Sequence, residues 1–282
     1  MKLISFRKGK RFSWGAVVDG GIVDLGKRLE GRYPSLRSAL EKGALPKVRK
    51  ALKGAKVSFK LDAVTLLPPI PRADKIILVG LNYEEHRKET GRDKTARPVL
   101  FTRFNNTQIG HNQPLIKPRA SDKFDYEGEL AVIIGKSGRA VSEAVALSHV
   151  AGYSCYHDGS VRDWQFHTSQ FTPGKNFPAT GGFGPWLVTA DEIPDPHLLP
   201  IQLRLNGQTM QNSNTQEFIF GIDKIIAYVS QVITLEPGDV IFTGTPPGVG
   251  MARKPPVFLK PGDVVEVEIE GLGVLRNPVA AE

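Results

Sequence analysis

The amino-acid sequence predicts an α+β protein that is mainly β. Short apolar runs recur along the chain and have the length and composition typical of strands, among them KIILVGL, ELAVIIG, DVIFTG and DVVEVEIEG. Only a few helical patterns separate them, so strands and helices do not alternate as they would in a doubly wound parallel sheet. The 29 glycines and 21 prolines are scattered between these runs, which indicates many turns between short strands.

Residues 1–70 are predicted to form a small N-terminal α+β domain that ends in a proline-rich linker. RFSWGAVVDGGIVDL has the pattern of a hairpin whose turn is Asp19-Gly20-Gly21, and SLRSALEKG has that of a helix. The stretch LLPPIPRADK follows, and its prolines disfavour helix. We therefore place a second, larger domain at 71–282.

The larger domain begins with the predicted strand KIILVGL and a short helix in NYEEHRKETG. Asn82 is the expected N-cap of this helix and Gly91 the residue that stops it. Two further helices are predicted, in SEAVALSHV and FGIDKIIAYVSQVI. No repeat of solenoid or propeller period is present in the sequence.

Composition argues against several classes of protein. The net charge is +8, but the densest basic run, KVRKALKGAKVSFK at 47–60, has no accompanying nucleic-acid motif. We interpret it as a solvated helix face and expect no nucleic-acid partner, although a basic surface could attract a small anion. No apolar run approaches the length of a membrane span, and the first residues lack the apolar core of a signal peptide. With Cys155 as its single cysteine, the chain is expected in a reducing, cytoplasmic location.

Two glutamates at the start of a predicted strand form the first candidate site. In FDYEGE, residues 124–129, only a glycine separates Glu127 from Glu129. Residues two apart in a strand point to the same face, so both carboxylates would project into one space about 6–7 Å apart. Two like charges there repel each other unless a cation or a proton lies between them. The alternative from this stretch alone is an exposed strand end where both acids are solvated.

A third oxygen ligand for a cation follows a later strand. In GYSCYHDGSVRDWQ, residues 152–165, Asp158 stands just past an apolar run, and strand ends are where sites open to solvent. Three carboxylates offer only hard oxygens, which suit Mg²⁺, Mn²⁺ or Ca²⁺ better than Zn²⁺. His157 would point to the opposite face of the strand, so we interpret it as a structural residue or a support behind the ligands.

Two residue pairs could take part in catalysis. His86 and Glu89 are three apart, which makes them neighbours on a helix, and a carboxylate beside an imidazole orients it and raises its basicity. A surface charge pair in EEHRKE is the alternative. Arg162 and Gln165 could share a face with Asp158 if the chain turns helical after it.

Two loops carry weaker signals. Lys175 stands in TPGKNF, where glycine and proline indicate a shaped loop, although a single lysine is usually solvated. GTPPGVG, residues 244–250, is glycine-rich but lacks the GK[ST] of a nucleotide-binding loop. We therefore predict no phosphate site there.

In their order along the chain, these segments resemble the fumarylacetoacetate hydrolase family. The resemblance extends over roughly 70–282 and rests on GLNYEEH, DYEGELAVIIGK, GYSCYHDGSVRDWQ, LEPGDVIFTGTPPGVG and PGDVVEVEIEGLG. The N-terminal region resembles the accessory domain of bacterial members. The resemblance implies a mixed β-roll or β-sandwich core, a homodimer, and bound Mg²⁺ or Mn²⁺, with Ca²⁺ as a substitute in crystals.

The same resemblance implies roles for individual residues. The implied metal ligands are Glu127, Glu129 and Asp158. The implied catalytic residues are the dyad on a helix that closes over substrate and an active-site lysine: His86, Glu89 and Lys175. The implied substrate-binding residues are Arg162, Gln165 and Thr245.

The sequence departs from common members of the family at three places. Arg103-Phe104 stands where many members have lysine followed by proline or serine, HDGS replaces an asparagine-aspartate form, and residues 164–173 intervene before the lysine. These departures lie where substrate selection is expected, so the resemblance leaves the substrate open.

The resemblance implies an enzyme that acts on a small anionic 2-oxo acid. The first hypothesis is metal-dependent hydrolysis of a C–C bond in an acylpyruvate-like (2,4-dioxo) acid, with His86 activating water and the metal stabilising an enolate. The alternative is an isomerase or decarboxylase of 2-hydroxymuconate-type or oxaloacetate-like acids, or a 2-oxo-enoate hydratase, on the same site. A non-catalytic binding protein is a third hypothesis, which the complete set of site residues argues against.

Overall fold

The computed structural model describes residues 1–29 and 31–282. Its strands are β1 (Lys2–Lys8), β2 (Arg11–Val18), β3 (Gly21–Asp24), β4 (Phe59–Lys60), β5 (Thr65–Leu66), β6 (Ile76–Gly80), β7 (Val99–Thr102), β8 (Gln108–Ile109), β9 (Leu115–Lys117), β10 (Phe124–Asp125), β11 (Gly128–Ile134), β12 (Val150–Asp158), β13 (Ser160–Val161), β14 (Gly181–Thr189), β15 (Pro200–Leu205), β16 (Gln208–Asn214), β17 (Val240–Phe242), β18 (Val264–Ile269) and β19 (Gly273–Ala281). Its helices are α1 (Leu25–Arg28), α2 (Leu36–Glu41), α3 (Leu45–Leu52), α4 (Glu84–Glu89), α5 (Glu143–Ala146), α6 (Arg162–Gln165), α7 (Thr172–Lys175) and α8 (Ile222–Val232). This content confirms the predicted α+β, mainly β class.

The N-terminal residues form an antiparallel arrangement in which β2 pairs with both β1 and β3. The β2–β3 turn lies where the sequence predicts it, since Asp19 and Gly20 have φ angles of 48° and 74°, the left-handed values that a tight hairpin turn requires. Helix α2 begins with a capping box, in which Ser35 and Ser38 satisfy each other's backbone N–H groups. Local sequence therefore determines these elements.

One mixed sheet contains strands from both ends of the chain. Its order is β4-β3-β2-β1-β14-β12-β11-β17-β6-β7, with β5 beside β1 and β8 beside β14. Strands β11 and β12 lie in the interior of this order, pair antiparallel, and have every residue buried. Because both of their faces are covered, their sequences are nearly continuous apolar runs with little alternation.

A second sheet, ordered β16-β15-β18-β19-β9, packs against the first. Buried and less buried residues alternate along β15 and β18, so this sheet turns one face inward. Leu203, Val267 and Leu275 from that face join one apolar cluster with Leu130 and Val132 of β11. The second sheet therefore covers one face of the strands that carry the candidate ligands.

Asn82 links the start of α4 to the segment that precedes α8. It does not cap α4, as the sequence predicted it would. Asn82 was the expected N-cap of α4, whereas the helix begins after Tyr83 with no side-chain cap. The Asn82 side chain instead accepts from the N–H of Phe220 at 2.8 Å and donates to the carbonyls of Phe220 and Thr243 at 3.1 and 2.8 Å. The N-cap prediction is wrong because tertiary partners use the side chain that a cap would need.

The N-terminal region shares its core with the rest of the chain. Strand β1 pairs with β14, and one apolar cluster contains Leu3 and Trp14 together with Tyr156, Phe183 and Phe242. The division into domains at 1–70 and 71–282 stays a prediction. Within the described ranges, no helix combines the length and apolar character that crossing a bilayer requires.

Candidate active site

Three carboxylates meet where β11 and β12 begin and end. The N–H of Asp158, the last residue of β12, donates to the carbonyl of Glu127 at 2.8 Å. Glu129, in β11, is paired with Tyr156 of β12. This register brings one oxygen from each of Glu127, Glu129 and Asp158 within 4.8 Å of the others, and all three side chains are buried. The alternative of a solvated strand end is therefore wrong.

Two buried cations contact Glu127. The Nζ atom of Lys175 lies 2.8 Å from Glu127 Oε2, 2.5 Å from Asp158 Oδ2 and 2.6 Å from Ser160 Oγ. Arg162 Nη1 lies 2.7 Å from Glu127 Oε1. Burial disfavours the charged form of Glu127, but Lys175 and Arg162 outweigh it and hold the pKa of this carboxyl well below its ordinary value.

Glu129 has the opposite electrostatic environment. Burial, and then the nearby carboxylates of Asp158 and Glu127, raise the pKa of the Glu129 carboxyl well above its ordinary value, although the N–H of Gly244 donates to Oε2 at 2.9 Å. Part of the rise in pKa reflects repulsion between the three carboxylates, and a divalent cation bound among them would remove that repulsion. The all-oxygen, buried donor set therefore fits a hard divalent cation such as Mg²⁺ or Mn²⁺.

The pair on α4 has the geometry of an oriented base. His86 Nδ1 lies 2.8 Å from Glu89 Oε1, and since an ionised carboxylate only accepts, this ring nitrogen donates. The N–H of Gly248 donates to both oxygens of Glu89, at 3.1 and 2.9 Å. His86 is only 5% exposed, so the alternative of a surface charge pair is wrong. The other ring nitrogen, Nε2, is left for the cleft that His86 lines.

The predicted site residues meet at one cleft with an empty volume of about 460 Å³. All of them except Glu89 and Asp158 line it, and those two lie directly behind lining residues. Gln165 accepts from Arg162 Nη1 at 2.9 Å through its Oε1 atom, which leaves its amide N–H groups for a ligand. Thr245 lies deeper, where its hydroxyl donates to the carbonyl of Gly128 at 3.0 Å. Substrate binding by these residues stays a prediction.

Arg103 is a site residue whose role the sequence did not predict. It is 2% exposed, its Nη1 lies 2.5 Å from Asp158 Oδ1 and 3.3 Å from the carbonyl of Gly159, and its Nη2 donates to Thr180. Its Nε donates to Thr107 at 3.2 Å. Arg103, one of the places where the sequence departs from common family members, therefore places a fixed cation behind Asp158, one of the candidate ligands.

Asp125 is the second site residue that sequence reasoning missed. It accepts from Arg162 Nε at 2.8 Å and from the N–H groups of Gly250 and Met251 at 2.8 and 2.9 Å. Asp125 thus fixes the guanidinium that contacts Glu127. Its signal was present, since Asp125 precedes Glu127 by the same two-residue step that separates the glutamates.

His157 and the 164–173 segment lie at the edges of the site. His157 is buried, burial lowers the pKa of its imidazole to about 3, and neither ring nitrogen has a hydrogen-bond partner among the described residues. The carboxylate cluster consists of Glu127, Glu129 and Asp158, and the supporting role of His157 stays a prediction. From the 164–173 segment, Phe166 and Phe171 line the cleft and supply an apolar wall.

A cleft that combines a donor set for a hard cation with an oriented histidine is typical of an enzyme. The chain belongs to the fumarylacetoacetate hydrolase family: the family model described as fumarylacetoacetate (FAA) hydrolase C-terminal matches residues 75–280. Members of this family are enzymes, so the chain is identified as one. The family resemblance drawn from the sequence is confirmed.

Named relatives refine this placement. The chain is 44% identical over 265 residues to oxaloacetate tautomerase Fahd2a, mitochondrial, of Rattus norvegicus, covering 93% of this chain and 85% of the relative. A putative HpcE protein from Mycobacterium smegmatis has a TM-score of 0.90 at 36% identity, covering 100% of this chain and 99% of that one. Maleylpyruvate hydrolase from Sphingobium sp. SYK-6, solved with manganese(II) and pyruvate, has a TM-score of 0.83 at 30% identity, with the same coverage. These likenesses confirm the predicted fold.

The relatives also correct one prediction. The rat relative is named as mitochondrial, and this contradicts the cytoplasmic location predicted from Cys155. A single cysteine excludes an intrachain disulfide in any compartment, so it cannot distinguish one reducing compartment from another.

Proposed function

We propose that this enzyme is a metal-dependent tautomerase that interconverts the keto and enol forms of oxaloacetate or a closely similar 2-oxo dicarboxylic acid. The observation that carries the proposal is the position of His86, held by Glu89, in the same cleft as the carboxylate triad. The named activity of the rat relative favours tautomerisation. This is the oxaloacetate-type alternative from the sequence, and it displaces hydrolysis as the first choice.

The triad is the proposed binding site for Mg²⁺ or Mn²⁺. When bound to Glu127, Glu129 and Asp158, such a cation would act as a Lewis acid toward the 2-oxo and adjacent carboxylate oxygens of the substrate. Lys175 and Arg162 hold the carboxylate of Glu127 in place from two sides. These side chains are buried, and their low-dielectric surroundings strengthen each of these interactions.

Proton transfer is the proposed task of the pair on α4. His86 Nε2 would take the proton from the carbon between the 2-oxo group and the distal carboxylate, while Glu89 stabilises the imidazolium that results. The 2-oxo oxygen takes a proton from solvent, and the imidazolium returns its own to solvent. One C–H bond is broken, one O–H bond is formed and no group leaves, so the reaction needs no nucleophilic water.

The first test follows the decay of the enol absorbance of freshly dissolved oxaloacetate. We expect acceleration by the magnesium-loaded protein, its loss on chelation, and its return when Mg²⁺ or Mn²⁺ is added. His86→Gln should lower kcat by about 10²–10⁴-fold, the usual contribution of a general base. His167→Gln is the matched control, because His167 is exposed and lies outside the cleft. Full activity of His86→Gln would overturn the proposal.

Hydrolysis of an acylpyruvate is the second candidate function. It is favoured by the likeness to maleylpyruvate hydrolase, whose structure holds manganese(II) and pyruvate. Hydrolysis adds water across a C–C bond, so acetopyruvate would give pyruvate and acetate, while decarboxylation of oxaloacetate would release CO₂. Product analysis by NMR separates both outcomes from tautomerisation, which gives no new carbon fragments.

A further inference from the structure

We propose that Arg92 binds the carboxylate at the far end of a dicarboxylic 2-oxo acid and so selects for substrates with two carboxylates. This inference rests on the proposed function, because it assumes that the first carboxylate and the 2-oxo group lie at the triad. Neither the family model nor the names of the relatives assign a role to Arg92.

Arg92 lies at the wall of the same cleft as His86. It follows Gly91, which has a φ of 64° and reverses the chain just past α4, as glycine does beyond a helix end. The guanidinium carbon of Arg92 lies 5.2 Å from the centre of the Phe166 ring, within the range of a cation–π contact. Phe166 is 44% exposed and lines the cleft as well. The aromatic ring thus supports a cation beside the cleft.

The other cations of the cleft are already paired. Arg162 contacts the carboxylates of Asp125 and Glu127, and Lys175 bridges Glu127 and Asp158. No carboxylate within residues 1–29 and 31–282 forms an ion pair with the Arg92 guanidinium, whose contact is the Phe166 ring. Arg92 is therefore available to a ligand in a way that Arg162 and Lys175 are not.

A charge balance at the inner end of the cleft indicates what Arg92 is needed for. The buried carboxylates are Asp125, Glu127, Glu129 and Asp158. The buried cations are Arg103, Arg162 and Lys175. A divalent cation at the triad would leave this group with one positive charge, which the carboxylate next to the 2-oxo group neutralises. A second carboxylate would then find no unpaired charge in this group, and Arg92, exposed at the wall of the cleft, is the cation that can pair with it.

Arg162 is the competing candidate for the same role. Its Nη2 atom is buried and has no hydrogen-bond partner among the described residues, so it could donate one hydrogen bond to a ligand. Its charge, however, is already shared by Asp125 and Glu127. Arg162 can add a hydrogen bond, whereas Arg92 can add a hydrogen bond and an uncompensated positive charge.

The test compares two ligands by titration calorimetry on the magnesium-loaded protein. Malate and lactate share a 2-hydroxy-acid group, and only malate carries a second carboxylate. We expect wild type to prefer malate. Arg92→Gln should weaken malate binding by about tenfold to a hundredfold, the range for a charge-assisted hydrogen bond, and leave lactate unchanged. Arg92→Lys should retain part of the preference.

The matched control is Lys94→Gln, which removes an exposed cation two residues further on that does not line the cleft. It should bind both ligands as wild type does. An unchanged malate preference in Arg92→Gln would overturn the inference and assign the distal carboxylate to Arg162. Equal binding of malate and lactate by wild type would overturn it as well.

Failure of the inference and failure of the proposed function give different results. The calorimetric comparison needs no turnover, so an Arg92-dependent preference for malate in a protein that does not tautomerise oxaloacetate would support the inference and reject the function. Tautomerisation together with a malate preference that does not depend on Arg92 would support the function and reject the inference.

Discussion

Arg103 supplies the charge that keeps Asp158 compensated when no metal is bound. Both side chains are buried, and Lys175 is the other cation in contact with that carboxylate. Removing one partner of a buried ion pair leaves a charge without compensation, which is far more costly than losing an exposed pair. Arg103 therefore affects folding stability as well as the geometry of a candidate ligand.

We expect Arg103→Met to lower the free energy of unfolding by about 3–5 kcal/mol in metal-free protein, as for other broken buried pairs. Saturating Mg²⁺ should reduce this deficit, because a bound cation replaces the missing charge beside Asp158. Urea unfolding with and without Mg²⁺ measures both quantities. Arg103→Lys is the control, since it retains the charge but loses the fork of donors, and should give an intermediate loss. A loss below about 1 kcal/mol would contradict the assigned role.

His111 makes folding stability depend on pH in the acid range. Its Nδ1 accepts from the N–H of Arg276 at 3.1 Å, and burial together with the Arg276 charge lowers the pKa of the imidazole to about 4. The value in the unfolded chain is about 6.5. The unfolded state therefore binds the proton first, so the stabilisation from neutral His111 is complete above about pH 6.5 and is lost as the pH falls through about 4.

The pH dependence is checked by comparing wild type with His111→Gln in urea at pH 7 and at pH 4.5. The variant should lose less stability between these two pH values, because it lacks the group that takes up the proton on unfolding. NMR titration of the His111 ring in the folded protein should give a midpoint near 4. A midpoint near the unfolded value would contradict the prediction.

Local sequence patterns were sufficient to predict that some site residues lie together, and insufficient for others. The two-residue step between Glu127 and Glu129 follows from strand geometry, and the spacing of His86 and Glu89 follows from helix geometry. The contact between Arg103 and Asp158 joins residues 55 apart in the chain, and no periodicity encodes such a pair. A buried arginine in a strand-rich sequence cannot be told from a solvated one until its partners are known.

The glycine-rich loop at 244–250 organises the carboxylates of the site through its backbone. The N–H of Gly244 donates to Glu129, that of Gly248 to Glu89, and that of Gly250 to Asp125. The absence of a phosphate site in this loop stays a prediction, although its backbone N–H groups act as donors, as those of a phosphate-binding loop do. Here the donors fix carboxylates of the protein itself.

We expect Gly248→Ala to disturb this loop more than a comparable change elsewhere. Gly248 has a φ of 103°, and an added Cβ would lie 2.3 Å from the carbonyl oxygen of Met210, which is a steric clash. Gly262 is the matched control, since its φ is 95° and an added Cβ would meet nothing within 4 Å. Gly262→Ala should cost about 1 kcal/mol from backbone strain alone.

The measurement is urea unfolding of both alanine variants, together with enol decay at saturating oxaloacetate. Gly248→Ala should lose clearly more stability than Gly262→Ala, and kcat should fall in Gly248→Ala alone, because Glu89 and through it His86 would shift. Equal effects of the two substitutions would show that the close approach to Met210 has no importance.

Helix α4 illustrates why element boundaries are hard to predict. Asparagine before a polar, helix-forming stretch is a good N-cap by local preference. In the structure Asn82 bonds to segments 138 and 161 residues away, and these tertiary bonds take precedence over the local one. The short helix is therefore held by its surroundings, with Asn82 at its start and Glu89 at its end.

The shared core predicts that the whole chain unfolds in one step. Leu3 and Trp14 from the N-terminal region pack in one cluster with Tyr156 and Phe242 of the central sheet, and β1 continues that sheet through β14. Separating the two regions would expose apolar surface on both. We expect urea unfolding followed by far-UV circular dichroism and by tryptophan fluorescence to give coincident transitions. A first transition confined to Trp14 would indicate an independent N-terminal domain.

The sequence predicted the kinds of element far better than their arrangement. Hairpin, helix and strand patterns are local, and the structure contains elements at most of the predicted places. The pairing of β1 with β14 joins residues such as Lys2 and Val188, and its energetic basis is packing between distant strands, which a pattern of one strand does not contain. The expected homodimer stays a prediction.

The single cysteine has a practical consequence for labelling. Cys155 is buried in β12, its thiol donates to the carbonyl of Gly273 at 3.4 Å, and burial raises the pKa of that thiol to about 12. The thiolate is the reactive form, so the native protein should not react with maleimide or iodoacetamide dyes. A cysteine introduced at the exposed Lys88 on α4 would then be the one reactive thiol, and a fluorophore there could follow the helix in real time as ligands enter the cleft.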